Sequence, residues 1–168
     1  MRRDELESEL ERAHTAAFAW ALRCAGTRQE AEDALHEAYL RVLDGRARFE
    51  GRSSFRTWLF GVIRRTAAGE RRRSLLRLGR LRRWFGGGDA SWARQDAADE
   101  LEGQEERAKL RGTLAGLSER QQQMMHLVFY QELTVQEAAD VLGIPVGTAR
   151  THYERAKARL RSALSRES

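Results

Sequence analysis

The sequence predicts an all-α protein with two small helical domains joined by a flexible linker. Residues that favour helices, mainly alanine, leucine, glutamate, arginine and glutamine, dominate the 168 residues, which include one proline. Apolar residues recur at intervals of three and four in several segments, which is the period of an amphipathic helix. A run of three glycines near the middle of the chain separates these segments into two groups.

The first domain is predicted over residues 1–73 as a bundle of three helices. The apolar spacing predicts a first helix over about residues 4–24 and a second between about residues 27 and 45, each followed by a glycine. A third helix follows a loop, takes Ser53 or Ser54 as its N-cap and continues to the end of the domain.

The linker is predicted over residues 74–107, where the helical spacing of apolar residues weakens. It begins with the basic stretch SLLRLGRLRRWF, continues through Gly86–Gly88 and ends in the acidic stretch DASWARQDAADELEGQEE. Three successive glycines favour a flexible joint. The acidic stretch is compatible with a solvated tail or with a short frayed helix.

The second domain is predicted over residues 108–168, and its helix starts are the clearest in the chain. Ser118 with Gln121, and Thr134 with Glu137, form two capping boxes, each of which opens a helix. The predicted core face of the helix that Ser118 opens consists of Met124, Met125, Leu127, Val128 and Phe129.

Residues 134–160 have the pattern of a helix-turn-helix. The motif needs small residues where its helices cross and a residue that tolerates left-handed backbone at the turn, and the Ala138–Ala139 pair and Gly143 meet these needs. Pro145 suits the first turn of the last helix, where its missing N–H costs no hydrogen bond. The exposed face of that helix should consist of Gly147, Arg150, Thr151, Glu154, Arg155, Ala158 and Arg161. Such a face can enter a DNA major groove and contact base edges; the alternative is an ordinary helical hairpin with a charged surface.

The net charge of +5 is divided into blocks of opposite sign. Residues 51–83 hold 11 basic residues against Glu70 alone, and residues 84–108 hold two basic residues against seven acidic ones. The stretch from residue 145 onward is again basic. Basic blocks on helices indicate a polyanion partner such as nucleic acid, because each neutralised phosphate releases counterions. A solvated helix face is the alternative.

Composition also argues against several function classes. No apolar run reaches the roughly 18 residues of a membrane span, and the charged N-terminus lacks the apolar core of a secretion signal, so we expect a cytoplasmic protein without a membrane span. Cys24 alone can form neither an internal disulfide nor a thiolate metal site. The four histidines fall on four different predicted helices without metal-binding spacing, and no nucleotide-binding or nucleophile motif occurs. We therefore expect no metal, no cofactor and no enzymatic activity.

Two segments resemble the bacterial sigma-70 family of RNA polymerase sigma factors, in its extracytoplasmic function (ECF) group. EAEDALHEAYLRVL followed by RFEGRSSFRTWLFGVIRR is similar to region 2 of that family, and LSERQQQMMHLVFYQELTVQEAADVLGIPVGTARTHYERAKARL is similar to region 4. The resemblance implies a transcription initiation factor that binds core RNA polymerase, directs it to promoters through their −10 and −35 elements and aids promoter melting. The implied partners are the β′ clamp helices and β flap of the polymerase, promoter DNA and an anti-sigma factor.

The resemblance also implies three sets of binding residues. Those that contact core polymerase would be Asp33, Leu35, His36, Glu37 and Tyr39. Those at the −10 element would be Phe49, Arg52, Phe60, Arg64 and Arg65. Those at the −35 element would be Arg150, Thr151, His152, Glu154 and Arg155.

Strand opening needs aromatic side chains for an unstacked base and arginines for the phosphates. Phe49 and Phe60 are the predicted stacking residues, whereas helical spacing predicts Phe55 and Trp58 as core residues of the third helix.

The chain departs from the family pattern at four of these positions. His36 stands where glutamine is usual and Arg65 where asparagine is usual, and His152 and Glu154 are also atypical. The base preferences at both promoter elements therefore stay open. A stand-alone helix-turn-helix regulator is the alternative function, although it would not need the aromatic and arginine cluster of region 2.

Overall fold

The computed structural model describes residues 2–85 and 112–165, and it confirms the all-α class: every regular element in these two ranges is a helix. The chain divides into two compact units, residues 1–95 and 96–168. The glycine run and the acidic stretch of the predicted linker lie outside the described residues. Within the described ranges, no helix combines the length and the apolar run that a bilayer crossing requires.

The first unit is a bundle of three helices, α1 (Arg3–Cys24), α2 (Arg28–Leu43) and α3 (Phe55–Phe85). Its core is built around Trp20, whose indole is fully buried and packs against the ring of Phe60 at a centroid distance of 6.1 Å. The side chain of Arg71 donates a hydrogen bond of 3.0 Å to the carbonyl of Cys24 at the end of α1. Trp20 contacts Phe60, and Cys24, further along α1, contacts Arg71, further along α3, so these two helices run in the same direction. The start of α2 lies beside the end of α1 and the end of α2 beside the start of α1, so α2 is antiparallel to both.

Local capping determines where α2 and α3 begin. Thr27 accepts a hydrogen bond from the backbone N–H of Glu30, whose carboxylate in turn accepts from the N–H of Thr27. For α3 the cap is Ser54, since its hydroxyl accepts the N–H of Thr57 at 3.1 Å. Of the two predicted alternatives, Ser53 and Ser54, the structure therefore identifies Ser54.

The third helix is longer than predicted. The sequence predicts that it ends near residue 73, but the backbone of α3 is helical for 31 residues, through Phe85. Residues 74–85 are mostly leucine and arginine, which are good helix formers, and the one glycine among them, Gly79, is tolerated within a helix. The basic stretch assigned to the linker is thus the last part of α3.

The second unit begins with a helical turn at 112–115 and continues with α4 (Glu119–Met125), a π-helical turn (His126–Tyr130), α5 (Val135–Leu142) and α6 (Val146–Ser165). Both predicted capping boxes are present at the starts of α4 and α5. Gly143 ends α5 in the left-handed region, with φ +61°, and the small pair Ala138–Ala139 is buried. The helix-turn-helix pattern is therefore confirmed as local structure.

The π-helical turn overturns one prediction about the core. Met124 and Leu127 are fully buried as expected, but the side chain of Phe129 is 60% exposed and that of Tyr130 is 67% exposed. A π-helical turn holds more residues than an α-turn, so it rotates the following side chains away from the face that an α-helical period predicts. Gln131 instead fills the core, where its amide lies 3.1 Å from Nε2 of His126.

Candidate polymerase-binding and DNA-binding surfaces

The outer face of α2 presents two of the five residues assigned to polymerase binding as exposed side chains. Asp33 and His36 are exposed, and Asp33 accepts a hydrogen bond of 3.1 Å from the amide of Gln29 one turn earlier. Leu35, in contrast, is only 5% exposed and belongs to the bundle core. The prediction that Leu35 contacts the polymerase is thus corrected: at this position the leucine faces α1 and α3 because it follows the buried Ala31 and Ala34 on the apolar stripe of α2.

Glu37 is half-buried and already paired within the chain. One of its carboxylate oxygens accepts hydrogen bonds from Nε of Arg41 at 2.8 Å and from Nη1 of Arg46 at 3.4 Å. The Arg41 guanidinium holds the pKa of Glu37 below its ordinary value. Arg46 also pairs with Asp44 at 3.0 Å. This network connects α2 to the loop that follows it, an arrangement that the sequence analysis did not anticipate.

Tyr39 lies in a groove between α1 and α2. Its hydroxyl is 3.2 Å from Nδ1 of His14, and burial raises the pKa of Tyr39 to about 12. The groove is open to solvent, encloses about 490 Å³, and is lined by Glu7, Leu10, Glu11, His14, Tyr39 and Leu43. Leu40, the next residue of α2, is 38% exposed.

Three aromatic rings form a cluster where the loop after α2 meets the start of α3. The ring of Phe49 lies 5.5 Å from that of Phe55 and 5.4 Å from that of Trp58, and the last two are 5.4 Å apart. All three side chains are half-buried, so the cluster is packed on one side and accessible on the other. Arg52 is exposed next to it and pairs with Glu50 at 2.9 Å. Helical spacing predicts Phe55 and Trp58 as core residues, but the structure brings them together with Phe49.

Phe60 does not belong to this cluster. Its ring is fully buried between α1 and α3, in contact with Trp20, and the guanidinium of Arg56 lies over it at 5.3 Å. A base could not reach this ring in the described conformation, which corrects the prediction that Phe60 is a stacking residue. Helical spacing could not predict the burial of Phe60. Nearly every position from residue 57 to 63 is buried, so this part of α3 has no single apolar stripe that separates core residues from exposed ones.

The two arginines that follow differ in exposure. Arg64 is half-buried and Arg65 is exposed. The guanidinium of Arg65 lies along its own helix over Gly61, where a Cβ atom would come within 3.3 Å of Nη1. Gly61 thus provides the space for this conformation of Arg65. In the sequence, the signal for this role is a glycine four residues before an arginine on the same helix.

The last helix, α6, exposes the face that the sequence predicts. Gly147, Arg150, Thr151, Glu154, Arg155, Ala158 and Arg161 are all exposed. The opposite face contains Ala149 and Ala156, both fully buried, and Tyr153 and Leu160 pack against the core. Two predicted readout residues have internal partners: the Thr151 hydroxyl donates to the carbonyl of Gly147 at 3.0 Å, and Glu154 pairs with Lys157 at 3.4 Å.

His152 is the exception among the −35 residues, because it is half-buried at the edge of the exposed face. Among the residues that the structure describes, no cluster of histidine, cysteine and carboxylate side chains has the arrangement of a metal site.

Comparison with known families matches both units. The Sigma-70 region 2 model matches residues 10–75 and the Sigma-70 region 4 model matches residues 113–162, so that together they cover most of the chain. The first match contains α2, the aromatic cluster and most of α3. The second contains the helix-turn-helix.

Individual relatives agree with these matches. The ECF RNA polymerase sigma factor RpoE of Cereibacter sphaeroides is 34% identical over 117 residues, which is 68% of this chain and 60% of that protein. The ECF RNA polymerase sigma factor EcfG of Rhodopseudomonas palustris is 26% identical over 168 residues, covering 96% of this chain and 86% of the relative. The RNA polymerase sigma factor YlaC of Bacillus subtilis is 24% identical over 165 residues, covering 98% and 94%.

Two solved structures have the same fold. The sigma factor RpoE of Bartonella quintana, crystallised with the anti-sigma factor NepR, aligns with a TM-score of 0.69 at 23% identity, covering 98% of this chain and 99% of that one. CnrH in complex with the cytosolic domain of CnrY aligns with a TM-score of 0.63 at 20% identity, covering 99% and 92%. With region 2 and region 4 both matched, and with ECF sigma factors among its relatives, the chain belongs to the sigma-70 family of RNA polymerase sigma factors, in its ECF group.

Proposed function

We propose that this sigma factor divides promoter recognition between two surfaces, the aromatic cluster with its neighbouring arginines for the −10 element and the exposed face of α6 for the −35 element. The observation that carries the proposal is the second helix of the helix-turn-helix, whose arginines, Arg150 and Arg155, project into solvent on one face. Arginine on such a face can donate two hydrogen bonds to guanine in the major groove. The basic composition of the C-terminal residues adds attraction to phosphates.

At the −10 element, Phe49 is the residue best suited to stack on an unpaired base. It belongs to a loop, it is accessible on one side, and Phe55 and Trp58 support it on the other. Arg52, Arg64 and Arg65 would neutralise nearby phosphates, although Arg64 is less exposed than the other two. Stacking on an aromatic ring contributes about 1–3 kcal/mol per base, enough to favour the melted state once a base has left the duplex.

Core polymerase would bind the outer face of α2 through Asp33 and His36. Glu37 and Tyr39 would contribute through the surfaces that they shape, since one is paired with arginines and the other with His14. Bound in this way, the protein would act as a positioning factor in the cytoplasm and would itself catalyse no reaction.

An anti-sigma factor is the regulator that this proposal includes. Both solved structures of similar fold are complexes with another protein, and the first is a sigma factor in complex with an anti-sigma factor. The chain would then be held inactive until that partner is released.

The direct test is transcription in vitro with purified core polymerase, with and without this protein, on a pool of genomic DNA fragments. We expect new start sites that share two conserved elements upstream, and we expect their number to fall when Arg150→Ala replaces the wild-type protein. Start sites that do not depend on the protein would contradict the proposal. A stand-alone regulator, the alternative that the comparisons do not favour, would bind DNA but would not co-elute with core polymerase.

A further inference from the structure

The groove between α1 and α2 has an apolar floor and an acidic rim. Leu10, Leu43 and Tyr39 form the floor, and Glu7 and Glu11 form the rim on the α1 side. The first three turns of α1 contain five carboxylates against two arginines, Arg3 and Arg12, which pair with Glu7 and Glu9 at 3.0 Å each. A groove of this kind favours an amphipathic helix with basic residues.

The same unit contains a helical segment of the complementary chemistry. Residues 74–85, the last part of α3, contain four arginines, six large apolar residues and no acidic residue. Where the side chains are described, Leu75 and Leu76 are 55% and 57% exposed. This part of α3 extends past the end of α1, because Arg71 already contacts the carbonyl of Cys24, the last residue of α1.

The groove and this segment lie at opposite ends of the bundle. The groove is formed by the first half of α1 and the second half of α2, whereas the extension of α3 continues beyond the end of α1. Since α1 and α3 run in the same direction and a helix rises about 1.5 Å per residue, the distance from Glu11 to the level of Cys24 is roughly 20 Å, and α3 then leads further away. The extension of one molecule therefore cannot occupy its own groove while α3 stays continuous.

We propose that two copies of the chain form an antiparallel dimer in which the α3 extension of each copy occupies the α1–α2 groove of the other. A two-fold axis makes both contacts equivalent, so that each dimer has two basic helices in two acidic grooves. Leu75 and Leu76 would lose exposure, and the basic composition of residues 74–85 would be matched by the acidic groove.

Such a dimer would compete with the active form. The groove includes Tyr39, one of the residues assigned to polymerase binding, so that a copy in the dimer would have part of this surface covered. This consequence rests on the proposed function, whereas the dimer itself does not. An experiment without polymerase or DNA therefore tests the dimer separately.

The test is sedimentation velocity of the full chain over protein concentrations of about 1–200 µM at about 0.05 M and 1 M salt. We expect the mass to rise from 19.2 kDa toward twice that value with concentration at low salt, and to rise less at high salt, where the charge attraction is screened. Wild-type protein that stays monomeric over the whole range at low salt would overturn the proposal.

Two charge-reversal variants identify the surfaces. Glu7→Arg with Glu11→Arg reverses the rim of the groove, and Arg77→Glu with Arg80→Glu reverses two positions that share a face of the extension. Each variant alone should dimerise at least about tenfold more weakly than wild type, because like charges then face each other. An equimolar mixture should dimerise again, since in the mixed pair both grooves meet a helix of opposite charge.

The matched control is Glu32→Arg with Asp140→Arg, which changes the net charge as the groove variant does but alters exposed residues outside the groove. It should dimerise like wild type. Circular dichroism confirms that all the variants keep their helices. Dimerisation that persists in either charge-reversal variant, or a mixture that stays monomeric, would show that these two surfaces do not contact each other and would overturn the proposal.

Discussion

The indole nitrogen of Trp20 donates a hydrogen bond of 3.0 Å to the backbone carbonyl of Phe60, 40 residues further along the chain. Both residues are fully buried, so this bond joins the C-terminal part of α1 to α3, the helix that begins within the aromatic cluster. The position of α3, and with it that of Arg64 and Arg65, depends on this contact in the core.

Trp20→Phe should therefore lower the free energy of unfolding by about 1–3 kcal/mol, because it removes a buried hydrogen bond and leaves a small cavity. Urea unfolding followed by circular dichroism measures the change. Trp58→Phe is the matched control: its indole is half-buried in the aromatic cluster, so its cost should be smaller. Equal costs for the two variants would contradict a special role for Trp20.

Gly143→Ala should destabilise the second unit by about 1–2 kcal/mol, since the residue adopts φ +61° and an L-residue is disfavoured there. Nothing lies within 4 Å of the added Cβ, so the cost is conformational and not steric. Gly147→Ala is the control with the opposite sign. It lies within α6 and also has open space around it, and it should leave stability unchanged or raise it by up to about 1 kcal/mol. Thermal unfolding of the two variants compares them directly.

Arg41→Gln should raise the pKa of Glu37 toward its ordinary value of 4.5, because the Arg41 hydrogen bond is the largest cause that lowers it. Because the pKa of Glu37 is lower in the folded state than in the unfolded state, its contact with Arg41 stabilises the fold at pH values above the unfolded-state pKa. This stabilisation is lost as the pH falls through the folded-state pKa. An NMR titration of the Glu37 carboxyl carbon measures the shift. Arg28→Gln, which removes the partner of Glu32 on the same helix, should leave the Glu37 titration unchanged.

Arg150→Ala should weaken binding to a −35 duplex by about 1–3 kcal/mol and relax the sequence preference at one position. Arg159→Ala is the control, since the Arg159 side chain donates to the carbonyl of Gly116 within the same unit. It removes the same charge and should not change which base is preferred. Binding measured on a set of singly substituted duplexes distinguishes a uniform loss from a loss of preference, and a uniform loss for Arg150→Ala would show that it contacts only phosphate.

Arg64→Ala with Arg65→Ala should slow the opening of a duplex promoter more than it affects a pre-melted one, and each lost phosphate contact should lower the salt dependence of binding by about one ion. Permanganate footprinting on the two templates measures opening. Arg72→Ala with Arg73→Ala removes the same charge from exposed positions further along α3 and should have a smaller effect on opening. A defect of equal size on both templates would reduce Arg64 and Arg65 to general anchors.

Helix starts were predictable because the signals that determine them are local. Thr27, Ser118 and Thr134 each cap the helix that they precede, and a glutamate or glutamine three residues later completes the box. The exposed face of α6 was predictable for a similar reason, since a regular helix with small buried residues on one side exposes the other.

The errors concern residues whose environment depends on other elements. Phe60 is buried because neighbouring helices cover it, and no single apolar stripe of α3 identifies it. Leu35 lies on the apolar stripe of α2, so the resemblance, and not the helical spacing, led to its assignment as a polymerase contact. Phe129 became exposed through a π-helical turn, which breaks the period on which the prediction relied. The pairing of Glu37 with Arg46 spans nine residues and a loop, beyond the range of helical spacing rules.

Cys24 gives the protein a natural reporter of local opening. It is the single cysteine of the sequence, it is 6% exposed, and its carbonyl accepts the hydrogen bond from Arg71 at the junction of α1 and α3. A thiol reagent can modify it only when that junction opens, so the rate of labelling measures how often the end of α1 separates from α3. Because this chain has no second thiol to contribute background, the kinetic measurement needs no engineered label and can follow the junction while the protein is bound to DNA or to a second copy of itself.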